Sequence, residues 1–204
     1  NPAADWAIYI QGDEVMHEAD HPNIFNAMTQ YQHDNEVDGL LFDYLHFYGS
    51  YDYIGVSNNW YKKEIRIIKP GRGIFSFRDA QGFRKAGRKL NVKSLDATVF
   101  HYGWVRHPKY QMAKVLEANK LWHSDDYIEQ KFDADADFDY TQVDSIARFE
   151  GSHPAVMTER LASVNWHFDR DPSIKSFSLK LKFIYLVEKL TGWRIGEYKN
   201  YKIV

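Results

Sequence analysis

Two short stretches of this 204-residue chain carry side chains able to hold a cation, and each follows an apolar run. Asp13 and Glu14 end the segment Gln11-Gly-Asp-Glu14 behind the run at 6–10, and His101 opens His101-Tyr-Gly-Trp104 behind the run at 95–100. Carboxylate oxygens joined by one imidazole suit a hard divalent ion of the Mn²⁺ type. Ligands of open α/β sheets gather where strands end, and Gly12 lets the backbone approach one closely. The plainer alternatives are a polar turn after a strand and a core or capping histidine. A third candidate is Asp79, a carboxylate among many cations. So surrounded, it stays ionised, and it can serve as a base or as half of a structural ion pair.

Charge is divided along the chain. Residues 1–61 hold ten acidic side chains and no Lys or Arg, whereas residues 62–93 hold eleven basic ones against Glu64 and Asp79. A cation-seeking segment followed by an anion-seeking one suits a metal with phosphate, or a membrane surface beside an active site. A solvated basic face explains residues 84–93 equally well.

The elements that would position these groups read as alternating strands and helices. Residues 6–10 are expected to form a buried strand, with further strands at 39–47, 64–69, 74–77 and 95–100. Asp43 and His46 face opposite sides of theirs by parity. Helices are expected from Asp20-His-Pro22 to about residue 33, from Arg106-His-Pro108 to about 119, over 154–164, and over 176–190 with Gly192 as its stop. Residues 48–61 read as a loop dense in Tyr, Gly and Asn. Its aromatic side chains, Trp60 among them, suit stacking on sugar rings, although burial is the commoner fate of any one of them. The alternating aspartates 133, 135, 137 and 139 do not make a calcium loop, because Phe138 and Asp144 stand where Gly and Glu are needed. The basic, aromatic end at 193–202 suits a membrane interface or docking back on the core.

With 44% hydrophobic residues the chain can bury a full core. It has no cysteine, which excludes disulfides and thiolate metal sites and fits a reducing compartment. Neither a bilayer-spanning apolar run nor a signal peptide is expected from these residues. Asn1 stands almost directly before the first strand, so the chain is expected to be a piece of something longer.

Taken together, Asp5-Trp6, Gln11-Gly-Asp-Glu14, Leu40-Leu-Phe-Asp-Tyr-Leu-His-Phe-Tyr-Gly49, Arg78-Asp-Ala-Gln-Gly82 and His101-Tyr-Gly-Trp104 resemble the family 2 glycosyltransferases. These are inverting enzymes of GT-A fold, and the likeness is to bacterial members that build lipopolysaccharide core. It continues through His153-Pro-Ala-Val-Met157 and Gly192-Trp-Arg-Ile-Gly-Glu-Tyr-Lys199. The resemblance implies an α/β domain whose mixed sheet is flanked by helices, with residues 1–124 as the metal and acceptor part and a helical extension over 125–204. The family's Asp-x-Asp falls on Gln11-Gly-Asp13, so Asp13 inherits the metal and Gln11, which brings no charge, inherits contact with the donor beside Glu14. His101 completes the metal site, Asp79 takes the place of the base, and Asp43, Tyr44, His46 and Trp60 would meet the acceptor.

The function so implied is transfer of a sugar from a nucleotide-sugar donor to a hydroxyl of a glycan or lipid-linked acceptor, with Mn²⁺ or Mg²⁺ as cofactor. The expected setting is cytoplasmic, at the inner face of the membrane and in peripheral contact with it, with no nucleic-acid partner. The family's upstream nucleotide-binding half is not in these 204 residues, so the chain alone is expected to be inactive. A non-catalytic glycan-binding module and a metal-dependent hydrolase are the alternatives.

Overall fold

A computed structural model describes residues 4–77, 82–133 and 135–204. In chain order its strands are β1 (Ala7–Ile8), β2 (Glu14–Met16), β3 (Gly39–Tyr48), β4 (Ser50–Gly55), β5 (Lys63–Ile68), β6 (Ile74–Ser76), β7 (Phe83–Lys85), β8 (Arg88–Trp104), β9 (Ile146–Arg148) and β10 (Tyr201–Ile203). Its α-helices are α1 (His21–Tyr31), α2 (Pro108–Lys120), α3 (Asp125–Lys131), α4 (Thr158–Ala162) and α5 (Leu179–Thr191). The strands form one curled mixed sheet, so the chain is α/β.

β8 is the spine. β3 runs parallel along one side of it, while β7, β10 and β2 take successive stretches of the other side. β5 continues the sheet beyond the first half of β3 and carries β1, and β4 pairs with the far end of β3 and carries β9. One face of the sheet buries Leu40, Phe42 and Val99 beneath Ile24 and Ala27 of α1, and Leu41, Ile65 and Val92 fill a separate cluster. Apolar residues on both faces are what a covered sheet requires, and they explain the nearly unbroken apolar run of β3.

Local signals account for the long helices. Pro22 and Pro108 sit in the first turns of α1 and α2, where a missing N–H costs nothing. Ser178 caps α5 by accepting from Leu181 N–H, and Gly192 ends it in the left-handed region at φ +72°.

Five expectations are corrected. The stretch at 6–10 yields only the two-residue edge strand β1, whose Ile8 is 55% exposed, because β5 is its sole strand neighbour among the described residues. The stretch at 48–61 contains β4, where Tyr51 and Tyr53 are buried around exposed Asp52 in strand alternation. The strand expected at 95–100 runs from Arg88 to Trp104, and so includes His101 within it. The helix expected over 154–164 is a 3₁₀ turn at Ala155–Met157 followed by the five residues of α4. Residues 125–204, expected to be helical, carry three of the helices and also return β9 and β10 to the sheet.

A buried ion pair ties strands that do not touch. Arg66 of β5 is 0% exposed, and its Nε and Nη2 donate to Glu14 of β2 at 2.7 and 2.5 Å. Between them Tyr44 of β3 donates its hydroxyl to Glu14 Oε1 at 2.5 Å. Burial favours the neutral acid, but the bonds from Arg66 and Tyr44 outweigh it and hold the Glu14 pKa below the ordinary range. Glu64, 3.6 Å from Arg66, goes the other way, because burial dominates and raises its pKa.

Breaking such a pair from one side strands a buried charge. Arg66→Met is expected to destabilise the fold by about 3–5 kcal/mol in urea unfolding, and adding Glu14→Gln should recover a large part of that. A loss of under about 1 kcal/mol would show the pair to be dispensable. Because the Glu64 pKa is raised on folding, its contribution to stability is full below the ordinary value of 4.5 and is lost as pH rises through the raised one. Glu64→Gln should therefore raise the melting temperature above neutrality, with the gain closing as pH falls toward 4.5.

Candidate functional site

Sheet register places Glu14, His101 and His46 at one level across β2, β8 and β3. Asp13 precedes this row in a turn closed by Glu14 N–H donating to the Gln11 carbonyl at 3.1 Å, while Gln11 N–H donates to Glu14 Oε2. The turn aims Asp13 at His101, with Oδ2 and Nε2 3.7 Å apart. The expected metal pair is thus brought together.

Hydrogen bonds decide which nitrogens of the two histidines carry protons. His46 is buried, and desolvation lowers its pKa to about 3, so it is neutral. Its Nε2 faces the Tyr61 carbonyl at 3.0 Å, and because a carbonyl only accepts, the proton is on Nε2. His46 Nδ1 is therefore bare and accepts at 3.3 Å from His101 Nδ1, which must carry that ring's proton. Burial also lowers the His101 pKa despite the opposing pull of Asp13. Neutral and protonated on Nδ1, His101 turns a bare Nε2 lone pair toward a carboxylate oxygen. Two acceptors held face to face repel unless a cation stands between them.

Two observations fit a cation there. Gly103 leaves the space open, since a Cβ at that position would lie 2.5 Å from His101 Nε2 and 2.8 Å from Asp13 Oδ2. An ammonium already answers the carboxylate: Lys114 Nζ of α2 donates to Asp13 Oδ2 at 3.0 Å and to the Gly103 carbonyl at 2.9 Å. Although burial alone would raise the Asp13 pKa, the hydrogen bond and charge of Lys114 lower it, which keeps the group ionised. Among the described residues no third His, Asp or Glu joins the pair, so a divalent ion would take its other ligands from water or phosphate.

Asp13 also lines a cleft of about 560 Å³ whose walls include Arg106, His107, Tyr110, Arg160 and Trp166. Tyr110 stands largely exposed at its rim, and Trp166 is fixed by donating Nε1–H to the Gly49 carbonyl at 2.8 Å. Aromatic faces beside two guanidinium groups are suited to a sugar that carries negative charge.

The other expected residues fall elsewhere. Glu14, expected to reach the donor, is turned inward to Arg66 and Tyr44. Tyr44 and His46 are buried, Trp60 packs among Tyr48 and Trp104, and Asp43 pairs with Lys63 at 2.6 Å, so none of the four expected acceptor contacts lines the cleft. Tyr44 and His46 instead pack around His101, the first tilted and the second edge-on, at ring separations of 5.6 and 5.2 Å. Asp79 lies outside the described residues. Lys114 and Tyr110 were legible as one face of the expected helix after Pro108, being four residues apart. Arg160 and Trp166 had no signal in the sequence, because only the tertiary fold brings them to Asp13.

Nitrogen-15 chemical shifts of the imidazoles test the proton assignment: His46 should report N–H at Nε2 and His101 at Nδ1. The same tautomer on both rings would refute the arrangement. Gly103→Ala should abolish any cation binding that the parent protein shows while leaving the melting temperature within a few degrees, because the added methyl meets the two ligands rather than the core.

Comparison of the chain with protein-family models, curated proteins and solved structures finds no match, and the reading of this site rests on its own chemistry.

Proposed function

We propose that the chain is the metal and acceptor part of a glycosyltransferase, moving a sugar from a nucleotide-sugar donor to a hydroxyl of a glycan or lipid-linked acceptor. The observation that carries this reading is the bare His101 Nε2 facing the Asp13 carboxylate beside an aromatic, arginine-lined cleft. Asp13 and His101 would hold Mn²⁺ or Mg²⁺, which when bound supplies positive charge against the leaving diphosphate. Tyr110 and Trp166 offer stacking surfaces for sugar, and Arg106 and Arg160 offer charge-assisted bonds to phosphate. Lys114 keeps the carboxylate neutralised until the ion arrives, and it can then turn to phosphate. In this reading Asp79 takes the proton of the acceptor hydroxyl. A nucleotide-sugar donor goes with a cytoplasmic setting, and a lipid-linked acceptor with work at the inner membrane face.

Calorimetric titration with Mn²⁺ tests the site. Asp13→Ala should abolish binding and His101→Ala weaken it by about tenfold or more. Lys114→Met should tighten it, since the competing ammonium is gone while the carboxylate remains. Undiminished binding by Asp13→Ala would move the site elsewhere.

Turnover tests the transfer. In a chain that also carries the upstream nucleotide-binding half, Asp79→Asn is expected to lower sugar transfer by about 10² to 10⁴ with donor binding unchanged. Release of free sugar without an acceptor would favour a hydrolase, and glycan binding without metal or nucleotide would favour a lectin-like module.

A further inference from the structure

Helix α5 is amphipathic in the reverse of the usual sense. Ile184 is its buried residue, and Glu188 is turned toward the body of the protein, where it pairs with Lys62 and Arg194 at 3.2 Å each. The apolar residues Leu179, Phe183, Leu186 and Leu190 are 85, 62, 53 and 75% exposed. At about 100° per residue these four fall within a stripe about 60° wide, roughly opposite Ile184 and Glu188. No described residue covers the stripe, and Trp193, 64% exposed, extends it past the helix end.

Charge specifies the occupant. Lys182 and Lys189 border the stripe on one side and Lys180 on the other, all exposed, and none forms a salt bridge among the described residues. From residue 173 to 204 the chain holds seven basic side chains and only two acidic ones, Glu188 and Glu197. Both acids are engaged by Arg194. An apolar stripe flanked by lysines, with a tryptophan at its end, is the pattern of a helix lying in the interface of an anionic bilayer. A protein groove that accepted the same stripe would need carboxylates along both rims. No described helix is long and apolar enough to cross a membrane, so contact through α5 would be peripheral.

We propose that α5 docks the protein on an anionic lipid surface, with Leu179, Phe183, Leu186 and Leu190 entering the acyl boundary and Lys180, Lys182 and Lys189 meeting the headgroups. The docked helix holds Lys62 and Arg194, and Arg194 donates to the carbonyls of Ser57 and Trp60, next to the Tyr61 whose carbonyl orients His46. Docking therefore sets the loop at 57–62 behind the helix, on the side of α5 turned away from the lipid. This inference stands on the surface alone and holds whether or not the chain transfers sugar.

Co-sedimentation with vesicles tests it without metal, nucleotide or sugar. The protein should sediment with vesicles of phosphatidylcholine mixed with phosphatidylglycerol, and much less with phosphatidylcholine alone. Raised salt should reverse the binding. Phe183→Glu with Leu190→Glu should weaken it by about tenfold or more, and Lys182→Gln with Lys189→Gln should remove the preference for anionic lipid. The mutated positions are solvent-exposed, so an unchanged melting temperature confirms folded variants. Absence of vesicle binding by the parent protein would overturn the proposal, as would equal binding by the glutamate variant. So would a dimer in light scattering that the glutamate substitutions dissociate, because the stripe would then belong to a second copy.

Discussion

The bond between Arg66 and Glu14 is the constraint on which the site depends. It reaches from β5 to β2 over the two strands between them, and Tyr44 closes it midway. Because Glu14 is held inward, the turn before it is held too, through Gln11 N–H on the same carboxylate. The neighbouring Asp13 is thereby presented at the mouth of the cleft. Adjacent carboxylates thus have opposite placements, one fastening the sheet and the other lining the cleft. A buried arginine bonded by two nitrogens and satisfied elsewhere by the Ile65 carbonyl is rigid, and it holds the turn that carries Asp13 in one place.

A second line of control runs through neutral imidazoles. The Tyr61 carbonyl fixes His46, His46 fixes His101, and the chain of bonds ends in a lone pair rather than a proton. Burial is what makes this work, since a charged His46 would donate from both nitrogens and break the sequence of roles. Lys114 then explains how Asp13 and a lone pair coexist without a divalent ion.

Much of this was readable from residue order. The helices opened by Pro22 and Pro108, and the one stopped by Gly192, carried signals that depend only on near neighbours. Asp13 and His101 could be matched because each followed an apolar run, and register then brought the two run ends together. Other features depend on what lies opposite. Glu14 and Asp13 look alike in sequence, and only Arg66, fifty-two positions away, separates their fates. β1 reads like a central strand because hydrophobicity says nothing about the number of neighbours. β4 was concealed by its tyrosines, whose alternation around Asp52 was outweighed by the surrounding Gly, Asn and Ser. The cleft is assembled from the Asp13 turn, the start of α2, and α4 with the residues on either side of it, so no local pattern announces it.

The seventeen residues of β8 place Phe100 and Tyr102 on one face, against Phe47, and His101 on the other, beside His46. A strand repeats every two residues, so losing or gaining a single residue between Thr98 and His101, where the pairing with β3 is unbroken, exchanges the faces. An aromatic ring would then stand in the polar row and the imidazole would enter the Phe47 cluster. Exchanging one apolar side chain for another in that stretch leaves both faces where they are. Across descendants of this sequence, the length of β8 is therefore under tighter constraint than the identity of the apolar residues that fill it.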